Sequence, residues 1–159
     1  MTGIDHAPSF DLHLVDENAT SALGAELARH LPPRAVVHLH GDLGAGKSTC
    51  ARAMLRALGV TGTIRSPTYT LVEQYPLREG GMALHLDLYR IGDAGELEFL
   101  GLDTDEARLW LVEWPERGQG GLPPVDLAIE LGVMGDGRDC RLWPRTDIGL
   151  GWANAVRLR

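Results

Sequence analysis

Gly41-Asp42-Leu43-Gly44-Ala45-Gly46-Lys47-Ser48 reads G-x-x-x-x-G-K-[ST], the phosphate-binding loop of nucleotide-hydrolysing proteins. Lys47 is the only lysine among 159 residues, and the other fourteen basic residues are arginine. A composition that disfavours lysine so strongly keeps one where a flexible ammonium must reach β- and γ-phosphates as a compact point charge. A planar guanidinium fits that space badly. Chance supplies such a match in a chain of this length only roughly a few times in a thousand. The loop points to a bound nucleoside triphosphate.

The flanking sequence supplies the context the motif requires. Ala35-Val36-Val37-His38-Leu39-His40 is apolar enough for a buried parallel strand. Ser48 to Leu58 favours helix and stops at Gly59, a natural residue just past a helix end. Strand, glycine loop and helix therefore follow in order. The glycines let backbone N–H groups converge on phosphate oxygens, and the helix N-terminus adds partial positive charge. Ser48 offers a hydroxyl to Mg²⁺, and Thr49 can donate to an α-phosphate oxygen. Lys47 spans the phosphates whose charge grows as the terminal bond breaks.

Length predicts one domain over residues 1–159. No apolar run approaches the ~20 residues of a membrane span. The start of the chain, Met1-Thr2-Gly3-Ile4-Asp5-His6, has no basic stretch leading into an apolar one, so a cytoplasmic protein is expected. Cys50 and Cys140 have no metal or redox spacing. The formal charge is −7 and the arginines are scattered, which argues against gripping nucleic acid by charge alone. A protein of this charge that serves a nucleic acid would do so through a partner.

The remaining pattern predicts a small α/β fold, a mixed sheet flanked by helices. Asp16 to Thr20 opens a helix with Leu23, Leu27 and Leu31 at i, i+4 and i+8, ended by Pro32-Pro33. Ser66-Pro67-Thr68 reads as a turn, Tyr69 to Tyr75 as a strand, and Ala83 to Tyr89 as its hairpin partner. Asp93 to Leu100 reads as a short helix and Leu109 to Val112 as an apolar strand. Val125 to Val133 and Cys140 to Trp143 read as two last strands, with little helix between them.

A phosphate loop needs a second acidic site for metal and water. Glu113 follows four apolar residues, as expected of an acid at the carboxyl end of a buried strand, where ligands of open parallel sheets collect. Asp87 ends the alternating Leu84, Leu86 pattern. Trp114 could stack on a base or simply pack, and Thr68 could contact a γ-phosphate or only complete a Ser-Pro turn. His38 and His40 share a strand face without a third ligand and read as structural.

Together these blocks resemble the TsaE family. The resemblance rests on Asp16-Glu17-x-Ala19-Thr20-x-x-Leu23-Gly24, the loop through Thr49, and Ser66-Pro67-Thr68-Tyr69-Thr70-Leu71-Val72-Glu73. It continues with His85-Leu86-Asp87-Leu88-Tyr89-Arg90, Glu96-Leu97-Glu98-Phe99-Leu100-Gly101, and Leu111-Val112-Glu113-Trp114-Pro115-Glu116. It spans about Asp16 to Leu131. What it implies is a phosphate-loop ATPase required for bacterial threonylcarbamoyladenosine formation in tRNAs reading codons that begin with A. Such a protein docks on the TsaD–TsaB pair and meets tRNA indirectly. The resemblance further implies that Gly41, Asp42, Leu43, Gly44, Ala45, Gly46, Lys47, Ser48 and Thr49 cradle the phosphates of ATP. Ser48 and Glu113 would hold Mg²⁺, Asp87 would orient or activate the attacking water or reach the metal through one, and Thr68 would sense the γ-phosphate. Trp114 would lie near the nucleotide, and Thr20 would approach the adenine or ribose. Ser48 stands where the family usually has threonine, and either hydroxyl can ligate magnesium.

The rival reading is a small-molecule kinase, which shares the loop and the α/β core. Such an enzyme needs an acceptor pocket and usually an arginine lid, and no compact arginine-rich lid is visible. A GTPase is weaker still, since no Asn-Lys-x-Asp motif is possible when Lys47 is the sole lysine. A nucleotide-gated binding module with slow turnover blends with the TsaE-like reading.

Overall fold

The apolar run before the loop is strand β2 (Ala35–His40), and it lies at the middle of a seven-stranded sheet. The structure, a computed structural model, describes residues 8–100 and 105–157. Before β2 come strand β1 (Phe10–Leu14) and helix α1 (Glu17–Arg29); after it comes helix α2 (Lys47–Ala57). Strands β3 (Val72–Pro76), β4 (Met82–Asp87), β5 (Ala107–Glu113), β6 (Leu127–Met134) and β7 (Gly137–Pro144) follow, and helix α3 (Asp147–Arg157) comes last. The sheet order is β1-β7-β6-β2-β5-β4-β3. Strands β6, β2, β5 and β4 run parallel, while β3, β7 and β1 join antiparallel to their neighbours. This is the expected α/β architecture with a mixed sheet. Among the described residues no helix is long and apolar enough to cross a membrane.

Side chains alternate across each strand, and the two faces are covered differently. One face packs against the three helices: Val37, Leu39, Leu111 and Ile129 meet Leu27, Met54, Leu55 and Trp152. Burying each large side chain contributes about 1.5–3 kcal/mol. Among the described residues the other face has no long helix. Leu84, Leu86, Trp110 and Val112 are covered there by Leu88, Ile91 and Leu97 from the segment after β4. His38 and His40 stand on this second face, rings 6.2 Å apart.

Local sequence explains where the elements begin and end. Asp16 caps α1 by accepting the Ala19 N–H at 2.9 Å. Gly24 lets α1 cross close over α2: a Cβ there would lie 2.7 Å from the Cys50 carbonyl oxygen. Gly59, at φ +94°, ends α2 as expected, with its N–H bonded to the Arg56 carbonyl and the Val60 N–H bonded to that of Leu55.

The structure corrects several expected boundaries. Residues 67–70 form a turn, and β3 starts only at Val72 rather than at Tyr69. Leu71 sits at φ +68°, its N–H bonded 2.8 Å from the Pro67 carbonyl oxygen, so the chain coils once before it extends. The helix expected from Asp93 is a 3₁₀ segment, Ala94–Leu100. Three elements were not anticipated: β1 at the sheet edge, a 3₁₀ turn at Pro115–Gly118 and α3 after β7. Helix α3 starts where the Thr146 hydroxyl accepts the Gly149 N–H at 3.1 Å. The Trp152 indole N–H then ties it to the Leu27 carbonyl of α1 at 3.0 Å.

Candidate functional site

The carboxyl ends of β2, β5 and β4 lie side by side, and each delivers one part of a cleft of about 420 Å³. From β2 the chain enters the glycine loop and then α2. Gly46, at φ +105°, precedes the helix without a side-chain cap, and the first turn carries no acid. The leading N–H groups of α2 are left for a ligand, with the positive end of the helix dipole behind them. Lys47 is 5% exposed, its ammonium donating to the Gly41 carbonyl at 2.6 Å and lying 4.0 Å from the centre of the Trp114 ring. Burial draws its pKa below the ordinary lysine value. Glu113 most, then Asp87, Glu116 and Asp42, pull the other way. An arriving polyphosphate would add strongly to that second group and favour the charged ammonium.

From β5 comes Glu113 and from β4 comes Asp87, paired in register as the last residues of adjacent parallel strands. Both are buried. His85, two residues before Asp87, hydrogen-bonds Glu113 Oε2 through Nε2 at 2.7 Å. The carboxylate can only accept, so this bond places the ring proton on Nε2. Asp87 accepts the Tyr89 N–H at 3.0 Å on Oδ1, and the Thr68 hydroxyl stands 3.5 Å from Oδ2. The coil through residues 67–71 therefore has a use: it aims Thr68 at Asp87.

The residues predicted from sequence converge, with graded proximity. Thr20, Leu43, Gly44, Gly46, Lys47, Ser48, Thr49, Thr68, Asp87, Glu113 and Trp114 all border the cleft. Gly41, Asp42 and Ala45 lie behind it: Gly41 supplies the carbonyl that Lys47 holds, and the Asp42 carbonyl accepts the Ala45 N–H at 3.0 Å. Thr20 is buried, with its methyl 3.7 Å from where a Gly46 Cβ would stand. Trp114 has φ +56°, an uncommon conformation for a bulky residue. Its ring lies between Lys47 and Tyr89, 4.9 Å from the latter.

Several pieces escaped the sequence reading, among them Asp16 and Glu17 at the start of α1, which border the cleft. His85 was visible in the alternation before Asp87, but nothing in one strand says which side chain faces it across the next. Asp136 and Arg138, from the β6–β7 hairpin, border the far side of the cleft. They belong to a stretch with no motif.

Neutral donors, the Lys47 ammonium, the Arg138 guanidinium and two buried carboxylates thus share one cavity, with the exposed Asp16, Glu17 and Asp136 at its border. That arrangement suits an anion of several phosphates bridged by a hard cation. Among the described residues no group of three or more His, Cys, Asp or Glu side chains is set to hold a metal by itself. One hydroxyl and one or two carboxylates are instead the short oxygen set that magnesium takes when phosphates complete its shell.

The family model described as "Threonylcarbamoyl adenosine biosynthesis protein TsaE" matches residues 14–140. The chain belongs to the TsaE family. Its relatives include the Haemophilus influenzae tRNA threonylcarbamoyladenosine biosynthesis protein TsaE, 40% identical over 89% of this chain and 93% of that one. The Bacillus subtilis protein of the same description is 37% identical over 77% of each chain. Among solved structures, the crystal structure of Bacillus subtilis YdiB superposes with a TM-score of 0.77, covering 99% of this chain and 97% of that one. At 23% identity that likeness speaks for the fold alone. The TsaE match takes in every residue of the cleft and stops before α3.

Proposed function

We propose that this TsaE-family chain binds ATP with Mg²⁺ in the cleft and hydrolyses it. It would do so slowly alone and faster when docked on a TsaD–TsaB pair, in the service of threonylcarbamoyladenosine formation on tRNA. One observation carries the reading: Lys47 after β2, Glu113 of β5 and Asp87 of β4 stand at the ends of three adjacent parallel strands around one cavity. Family membership supplies the pathway, and the acidic chain suits a component that meets tRNA through protein partners.

The loop N–H groups and the start of α2 receive the phosphates, and Lys47 turns from the Gly41 carbonyl to bridge the β- and γ-phosphates. Ser48 and Glu113 would hold Mg²⁺, which when bound neutralises charge developing between those phosphates. His85 keeps Glu113 in one orientation. Asp87, fixed by the Tyr89 N–H, orients the attacking water and can take its proton as the water oxygen bonds the γ-phosphorus and the bridge to ADP breaks. Thr68 lies where a hydroxyl could touch the γ-phosphate. Thr20 and Trp114 border the same space and would meet the nucleoside.

The test is free phosphate released from ATP by the purified chain, alone and with a TsaD–TsaB pair, beside Lys47→Ala. Release that needs Lys47 and rises with the pair is the expected result. Release indifferent to the pair, or phosphate found only on an added small acceptor, would replace the proposal with the kinase reading.

A further inference from the structure

A loop that turns its N–H groups toward phosphates turns its carbonyls away from them, and those carbonyls need partners of their own. Here two consecutive ones share a single side chain. Arg138, half-buried on β7, donates from Nε to the Ala45 carbonyl at 3.0 Å and from Nη2 to the Gly44 carbonyl at 3.1 Å. Its Nη1 donates to the Gly137 carbonyl at 2.7 Å, which anchors the head group to its own strand. That strand is fixed in turn. Arg138 pairs with Val133 of β6 and with Leu14 of β1, and a Cβ on Gly137 would collide with the Leu14 carbonyl.

Arg138 grips two consecutive peptide planes of the loop, and they play different parts. In the first, the Gly44 carbonyl goes to Arg138 while the Ala45 N–H goes to the Asp42 carbonyl, so both ends are tied. In the second, the Ala45 carbonyl goes to Arg138, and a trans peptide sends the Gly46 N–H the opposite way, at a residue that borders the cleft. The guanidinium also withdraws electron density from both carbonyls, which makes the N–H at the far side a better donor. Its planar fork makes two parallel bonds that an ammonium could not.

We infer that Arg138 is a positioning residue of the phosphate loop, reaching from the β6–β7 hairpin to hold the Gly44 and Ala45 peptides so that the Gly46 N–H stays ready for phosphate. This deepens the nucleotide reading of the cleft and rests on it. Because the loop grips the phosphates that ADP and ATP share, losing the guanidinium weakens both to a similar degree.

The experiment titrates Mg-ADP and Mg-ATP calorimetrically into wild type, Lys47→Ala, Arg138→Met, Arg138→Lys and Arg141→Met. Amide hydrogen exchange over residues 43–46 is followed without nucleotide. Arg141 lies on the same strand but bonds Asp11 at 2.9 Å, so its loss loosens the sheet edge and not the loop. Arg138→Met should weaken ADP and ATP alike by about tenfold or more, the size expected when hydrogen bonds to a charged group are lost. It should also speed exchange at residues 43–46. Arg138→Lys should recover part of the affinity, and Arg141→Met should bind as wild type does. Should Arg138→Met fail to fold, Arg138→Lys decides, since one bond cannot replace two.

A lowered melting temperature with wild-type affinity and wild-type exchange in either Arg138 variant would make this side chain mere glue between elements and overturn the inference. Wild type that binds no nucleotide would overturn the reading of the cleft itself. Nucleotide binding that needs Lys47 and ignores Arg138 would remove the inference alone.

Discussion

Replacing Lys47 by arginine keeps the charge and changes only its shape, in a chain that otherwise uses arginine everywhere. The lysine is 5% exposed, with its ammonium 2.6 Å from the Gly41 carbonyl and 4.0 Å from the Trp114 ring centre, so its head is closely held beside the cleft. Forcing a longer, planar head into such a space costs about 1–3 kcal/mol. Losing the ammonium's own bond to a phosphate costs about 1.5–3 kcal/mol more. The retained positive charge returns part of this, leaving a net loss of about 2–4 kcal/mol, or roughly 30- to 1,000-fold in affinity. Calorimetric titration of Mg-ADP into wild type, Lys47→Ala and Lys47→Arg measures it directly, with thermal unfolding in the absence of nucleotide confirming that each chain is folded. The expected result is that arginine serves little better than alanine. Binding by Lys47→Arg within threefold of wild type would refute the argument that the site selects a point charge.

Asp87→Ala should leave ADP binding within a few-fold of wild type and slow ATP hydrolysis by on the order of a hundredfold; wild-type turnover would remove Asp87 from the chemistry. Glu113→Gln should keep a partner for His85 yet reduce the dependence of nucleotide affinity on Mg²⁺, whereas an unchanged magnesium requirement would exclude Glu113 as a ligand. His38 gives a pH prediction. Burial first, and His40 second, lower its pKa from 6.5 to about 4. The unfolded chain therefore takes up a proton near pH 6.5 that the folded one refuses. The stability present at neutral pH declines as pH falls through 6.5 and stops declining near 4. Between pH 6.5 and 5 the loss is at most about 2 kcal/mol. His38→Val should show a shallower decline in urea melts over that range, and parallel curves would contradict the assignment.

The centre of the fold was legible because its constraints are local. A strand that must be buried on both faces, a loop that must admit phosphates and a helix that must follow it each leave a signature within one stretch, and β2, the loop and α2 fall where expected. Asp87 and Glu113 were legible for a related reason, as acids at the ends of apolar strands. Helix α3 was hidden by its own packing. Ile148, Trp152 and Val156 repeat at helical spacing, but Gly149 and Gly151 interrupt it. Gly149 is there because the Asp126 carbonyl lies against the position a Cβ would take. Strand β1 carries a clean alternation of Phe10, Leu12 and Leu14, too short to stand out without its partner β7. The late start of β3 is a case of a contact overriding propensity, since Tyr69 to Leu71 read as strand and coil instead to aim Thr68. The Arg138 grip and the His85–Glu113 bond join residues 93 and 28 positions apart. No periodicity in either segment encodes such a meeting.

The placement of β2 has a consequence for how the molecule comes into being. Its two neighbours, β5 and β6, lie far downstream, and the pairings Leu39 with Glu113 and His40 with Glu130 each close about 70 to 90 residues of chain. During synthesis the loop and α2 emerge before β5 and β6, the strands that flank β2 in the sheet. Parallel pairing over such separations is slow, because the entropy of closing the chain is lost before any contact repays it. The parts of the cradle are brought together only by strands made after it, since β5 and β6 flank a β2 that precedes both in the chain.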